Sequence, residues 1–145
     1  MIAHSQAPPV LTSELYVHEI LQNFISNAIK YTQHGSITLS AVAAEKGGVR
    51  FSVKDTGIGL SATDKKKIFQ KFYRSEDFRT RKTRGTGLGL YITVKLAERI
   101  NGKIWFDSQL NQGSTFYLEV PPIGARRESL KKIAKSEIKE VVKAI

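Results

Sequence analysis

The chain has 145 residues, 41% of them apolar, which suits one domain built round a single core. It has no cysteine, which excludes disulfide frameworks, thiolate zinc sites and cysteine nucleophiles and fits a reducing, cytosolic setting. A formal charge of +10, from 23 basic and 13 acidic side chains, invites an anionic partner: nucleic acid, a membrane surface or a phosphorylated ligand.

No run approaches the roughly 18 apolar residues that cross a bilayer, and the N-terminus MIAHSQAPPV lacks the pattern of a signal peptide. Residues 1–12, with Pro8 and Pro9, read as an extended lead-in. In "SELYVHEILQNFISNAIKYTQHG" the residues Val17, Ile20, Leu21, Phe24, Ile25, Ala28 and Ile29 fall at helical spacing, which predicts an amphipathic helix. Thr12 or Ser13 caps its start, Glu14 suits its first turn, and Gly35 lies just past its end. Next, Ile37, Leu39, Ala41, Ala43, Val49, Phe51 and Val53 alternate around Gly47-Gly48, predicting a β-hairpin with one buried face. "DTGIGL" ends the second strand in a glycine-rich turn, and Ser61 is placed to cap a short helix in "SATDKKKIFQKFYRS".

Residues 75–86 lack apolar periodicity and read as a mobile loop. A second long helix is predicted over Leu88–Ile100, stopping at Asn101-Gly102. "KIWFDSQ" and "STFYLEVP" form another strand pair. The tail, residues 123–145, places Leu130, Ile133, Ala134, Ile138, Val141 and Val142 on one stripe of a basic helix. Such a tail fits a solvated helix, a dock on this domain, a partner chain or anionic lipid. Helix, hairpin, helix, hairpin implies a mixed, mostly antiparallel sheet covered on one face: an α+β, two-layer α/β sandwich over residues 13–122.

The excess charge is local. Lys65 to Arg84 holds nine basic residues against Glu76 and Asp77, a net of +7, and Ala125 to Ile145 has a net of +4. Two basic segments on a near-neutral body argue against a protein that coats nucleic acid.

Three features bear on chemistry, and each has two readings. Asn23, Asn27 and Lys30 share one edge of the first helix; they form either a solvated edge or a seat for a hydrated cation and phosphate oxygens. Asp55, ahead of Gly57 and Gly59, is either a turn residue or the acceptor for a flat heterocycle lying close to the backbone. "GTGLGL" (residues 85–90) is neither a dinucleotide fingerprint nor a Walker loop. It is either a plain hinge or a turn that offers backbone amides to phosphate at a helix start, below a segment of net +7.

Taken in order, "NFISNAIKYT", "DTGIGL", "KIFQKFYR" and "GTGLGL" resemble the N box, first glycine box, F box and second glycine box of sensor histidine kinase catalytic domains. "GKIWFDSQLNQGSTFYLEVP" is similar to that family's closing strand pair, so the resemblance covers residues 10–121. It implies the Bergerat-type sandwich shared with gyrase, Hsp90 and MutL ATPases, with residues 1–12 carrying a truncated first strand. It also implies ATP and Mg²⁺ as cofactors. On this resemblance Asn27 coordinates Mg²⁺, Asn23 supports the metal or phosphates, Lys30 contacts phosphate, and Tyr31 packs near adenine or ribose. Asp55 accepts the adenine amine, and Thr115 joins that site through a water. Gly57 and Gly59 shape the pocket; Gly85, Thr86, Gly87, Leu88 and Gly89 form the hinge and phosphate-facing turn; Phe69 and Phe72 anchor the lid or pack in the core.

The ATP-hydrolysing relatives of that superfamily carry a glutamate where this chain has Asn23, which takes up no proton at neutral pH. The resemblance therefore implies a kinase rather than a hydrolase. The family's acceptor histidine lies in a separate upstream hairpin, and His4, His18 and His34 have no such context. The implied partners are that dimerisation and phosphotransfer domain and a response regulator receiver domain, with no specific nucleic acid. The implied location is cytoplasmic, as a domain of a kinase that is itself soluble or membrane-anchored. A nucleotide-sensing module without turnover and a serine kinase of the anti-sigma type are the alternatives on the same fold.

Overall fold

The protein, represented by a computed structural model, is described over residues 13–75, 77, 79 and 85–122. The lead-in, the tail and Arg81, Lys82 and Arg84 of the basic segment lie outside the described residues.

Helix α1 spans Glu14–Tyr31, and the Ser13 hydroxyl accepts from the Tyr16 N–H at 3.4 Å to cap it. Glu14 in the first turn and Lys30 in the last both suit the helix dipole. Ile20, Phe24 and Ala28 are buried, with Val17, Leu21 and Ile25 packed round them. Ile29, predicted on the same stripe, is instead 63% exposed. It sits about 100° round the helix from Ala28, which carries it off the packed face.

Strands β1 (Ile37–Ala43) and β2 (Val49–Asp55) form the predicted hairpin. A short α2 (Ala62–Lys67) follows, and then α3 (Gly89–Arg99), which ends at Asn101 in left-handed backbone and Gly102, as predicted. Strands β3 (Lys103–Gln109) and β4 (Gly113–Val120) complete a four-stranded sheet in the order β1-β2-β4-β3. β2 and β3 run the same way, but β4 lies between them, so every adjacent pair is antiparallel.

The core forms where α1 and α3 cover β2, β4 and β3. Phe24 packs on Phe116 with the rings tilted and 5.3 Å between their centres, and Phe116 in turn meets Phe106 at 5.7 Å. Val53, Leu118 and Val120 close the layer beneath. The predicted buried face of the hairpin holds for β2 only. Leu39 pairs with Val53 yet is 50% exposed, because β1 is the edge strand and the helices lie mainly over its neighbours. The end of β2, at Asp55, and the start of β4, at Ser114, are direct partners under the second half of α1, and this end of the sandwich holds the site.

Candidate nucleotide site

A cavity of about 280 Å³ opens between α1, the ends of β2 and β4, and the segments on either side of the basic loop. Asn23, Asn27, Lys30 and Tyr31 line it from α1, one turn after another on the edge beside the apolar stripe. The second glycine segment lies directly against that edge. A Cβ at Gly89 would stand 2.4 Å from Asn23 Oδ1, and one at Gly85 would stand 2.8 Å from Lys30 Nζ. Gly85, Thr86, Gly87 and Gly89 all line the cavity, and Leu88, the residue before α3, provides no side-chain cap. The first turn of α3 thus brings uncapped backbone N–H groups and the positive end of an 11-residue helix to the same opening.

Asp55 lies at the other end of the cavity and is 6% exposed. Its Oδ1 accepts the Gly57 N–H at 2.8 Å and the Thr32 hydroxyl at 3.5 Å. The loop that follows is pinned on two sides. The Ile58 N–H donates to Tyr31 O, Asn111 N–H donates to Ile58 O, and Leu60 N–H donates to Ser108 Oγ. Gly59 lines the cavity, whereas Gly57 contributes through its hydrogen bond to Asp55.

Two of the expected site residues stand away from the cavity wall. Thr115 does not reach the cavity: β4 alternates, so Thr115 turns to the outer face opposite Lys54 and Asp107, and Ser114 stands beside Asp55 in the cavity wall. Ser114 is within 2.9 Å of the Ser108 hydroxyl, which links it to the pinned loop. The Phe72 ring is 64% exposed, with the Lys71 ammonium 5.2 Å from its centre. Its backbone N–H donates to Gly87 O at 3.0 Å, with φ at +62°. Phe69, by contrast, packs on Phe106 at 5.6 Å and joins the core. Neither phenylalanine lines the cavity.

The structure adds residues that sequence reasoning passed over. Asp64, Tyr73, Arg74, Ser75 and Asp77 line the cavity from α2 and the middle of the basic segment. Burial, and then the charge of Arg74, pulls the Lys30 ammonium below its ordinary pKa, so the two cations stand close enough to oppose each other. An anion between them relieves that repulsion. Asp77 holds Arg79, which reaches the β3–β4 turn at Asn111 with a 2.7 Å hydrogen bond. The motif KIFQKFYR, which ends on Tyr73 and Arg74, was the signal for those two, whereas nothing in the sequence singled out Asp64, Ser75 or Asp77.

Gly87 lies at φ +72°, and a Cβ there would stand 2.7 Å from the carbonyl carbon of Phe72 and the oxygen of Tyr73. Gly87→Ala is expected to weaken adenine-nucleotide binding by about tenfold, since left-handed backbone costs an alanine about 1–2 kcal/mol and residues 72–73 must shift with it. Titration calorimetry beside a thermal melt checks this. A lowered melting temperature with unchanged affinity would reduce the segment to an ordinary connector.

The histidine kinase-, DNA gyrase B-, and HSP90-like ATPase family matches residues 12–123. The sensor protein GacS of Pseudomonas syringae pv. syringae is 37% identical over 132 residues, covering 88% of this chain and 15% of GacS. The sensor histidine kinase WalK of Bacillus subtilis is 42% identical over 107 residues, 72% of this chain and 18% of WalK. In structure, full-length ShkA in complex with AMPPNP superposes with a TM-score of 0.68 at 35% identity, over 81% of this chain and 24% of that one. The chain thus spans under a fifth of the curated relatives it matches, and the part it shares is their ATPase module. It belongs to the histidine kinase-, gyrase B- and HSP90-like ATPase family and carries the ATP-binding catalytic module of the sensor histidine kinases.

Proposed function

We propose that this module binds Mg²⁺·ATP and transfers the γ-phosphoryl group to a histidine on a separate dimerisation and phosphotransfer domain, from which a response regulator receiver domain takes it. The observation that carries the kinase reading is the cavity edge of α1, which presents Asn23, Ser26, Asn27 and Lys30 and no carboxylate. Asp64 and Asp77, also in the wall, are engaged by hydroxyl and guanidinium donors. With no free base beside the phosphates among the described residues, water is left unactivated and a nucleophile brought from outside is favoured. His18 and His34 are exposed and neither lines the cavity, which fits an acceptor on another domain.

Adenine is set against Asp55 with Ser114 beside it, and the triphosphate runs toward Asn27, Lys30 and the start of α3. Asp55 accepts from the exocyclic amine; Lys30 and Arg74 face the phosphates; the uncapped N–H groups of α3 add donors. The hard oxygens of Asn27 and Asn23 suit Mg²⁺, which keeps several waters and binds through few protein ligands. The described residues hold no cluster of three His, Cys, Asp or Glu. When bound, the ion neutralises charge on the phosphate oxygens. In the transfer, an imidazole nitrogen forms the P–N bond, the bond from the γ-phosphorus to the bridging oxygen breaks, ADP leaves, and the imidazole proton passes to solvent.

Mixing the chain with radiolabelled ATP and the histidine hairpin of a relative such as WalK tests the function. Acid-labile, base-stable phosphate on the hairpin is the expected result, and acid-stable phosphate would instead show a serine kinase. Asn27→Ala is expected to cut labelling by roughly a hundredfold, the scale of a lost transition-state contact. The same variant removes the Mg²⁺ dependence of ATP affinity, which calorimetry with and without the ion reads independently of turnover. Retained Mg²⁺ dependence would remove Asn27 from the metal shell.

A further inference from the structure

Asp64 makes more bonds than its local role requires. In α2 it is the third residue of a capping box, in which its own N–H donates to Ser61 Oγ at 3.1 Å and Ser61 N–H donates back to Asp64 Oδ2 at 3.4 Å. That exchange would serve an exposed carboxylate equally well. Here Asp64 is only 6% exposed, and two further donors come from outside the helix. Tyr73 OH donates to Oδ1 at 2.8 Å, and Ser75 Oγ donates to Oδ2 at 3.1 Å. Burial works against the charge, but the bonds from Ser61, Tyr73 and Ser75 outweigh it and hold the carboxyl below its usual range.

The two outside donors are the neighbours of one residue. Tyr73 and Ser75 flank Arg74, which lines the cavity near Lys30. A chain bonded to one buried carboxylate on both sides of a residue has little freedom to swing that residue away. Lys67, in the last turn of α2, adds to the hold with its ammonium 5.9 Å from the Tyr73 ring centre.

We propose that Asp64 is a positioning residue that clamps the backbone on either side of Arg74, so that the guanidinium is held over the terminal phosphate of the bound nucleotide. The assignment rests on the nucleotide reading above and deepens it. Asp55 and Ser114 hold the base, the α1 edge and the start of α3 hold the inner phosphates, and Asp64 acts on the outer end through Arg74. Its action therefore distinguishes a triphosphate from a diphosphate. A carboxylate that merely capped α2 would have no such preference.

Calorimetry of the full chain with Mg²⁺ and two probes, ADP and the β,γ-imido analogue of ATP, tests the clamp. Asp64→Asn keeps the shape but turns an amide N–H₂ toward donors on one side. It is expected to raise the Kd of the triphosphate analogue about tenfold, the scale of one hydrogen bond to a charged group, and that of ADP less than about twofold. Tyr73→Phe and Ser75→Ala each shift the same ratio in the same direction by less, and they remain informative if Asp64→Asn fails to fold. In an Arg74→Ala background, Asp64→Asn adds no further selective loss. Equal losses for both nucleotides, or a selective loss that persists without Arg74, would overturn the clamp and leave the nucleotide reading standing. A wild-type chain that binds neither probe would overturn both.

Discussion

Asp55→Asn is expected to raise the Kd for ATP and ADP alike by roughly 10- to 100-fold, the cost of a lost charged hydrogen bond with a donor left unpaired. The geometry fixes why an isosteric change does so much. Asp55 is 6% exposed, and its Oδ1 is already committed to the Gly57 N–H at 2.8 Å. An asparagine keeps that bond by placing its carbonyl oxygen there, which turns its N–H₂ group into the cavity. The exocyclic amine of adenine then meets a donor instead of an acceptor. The same variant is expected to favour a hypoxanthine nucleotide relative to the wild type, because a 6-oxo group accepts from that amide. Titration with ATP and ITP reads both effects, and unchanged ATP affinity would sink the adenine assignment. The melting temperature distinguishes this from general damage, since the substitution preserves volume and the bond to Gly57.

Phe24→Ala is expected to cost about 3–5 kcal/mol of stability, a large share of the roughly 5–15 kcal/mol of a typical domain. Phe24 is 1% exposed and packs from α1 against Phe116, with Ile20 and Ala28 buried on either side. Truncation leaves a void between a helix and β4 that neither backbone can close without breaking the register of Asp55 against Ser114. Urea denaturation measures the loss, and a value under about 1 kcal/mol would mean that α1 is not seated on Phe116. Asn23 is the adjacent residue and Phe116 lines the cavity, so nucleotide binding is expected to weaken with the fold in this variant. The Asp55 variant separates the two: affinity falls there without stability.

Most of the secondary structure was legible because its signals are local. The i, i+3, i+4 spacing from Val17 to Ala28, the Ser13 cap and the Asn101-Gly102 stop act within a few residues, and α1 and α3 follow them closely. The glycine pair at 47–48 and the alternation on both sides placed the hairpin equally well. The order of four short motifs carried the family, and most of their polar members, including Asn23, Asn27, Lys30 and Asp55, meet in one cavity.

The remaining features turned on contacts between distant residues. The choice of Ser114 over Thr115 depends on a pairing that sets residue 114 opposite residue 55, and one step along a strand reverses the side chain. The exposure of Leu39, Ile29 and Phe72 depends on where neighbouring layers end, which hydropathy along the chain does not encode. Asp64 carried no signal of its own in sequence, and the proposed clamp exists only because Tyr73 and Ser75 fold back onto it. By itself, then, the sequence determined the elements, their order and the family, since these rest on short-range periodicity and capping. Tertiary structure alone decided which of two adjacent side chains enters the site and which carboxylate steadies it, because both depend on pairings that join residues far apart in the chain.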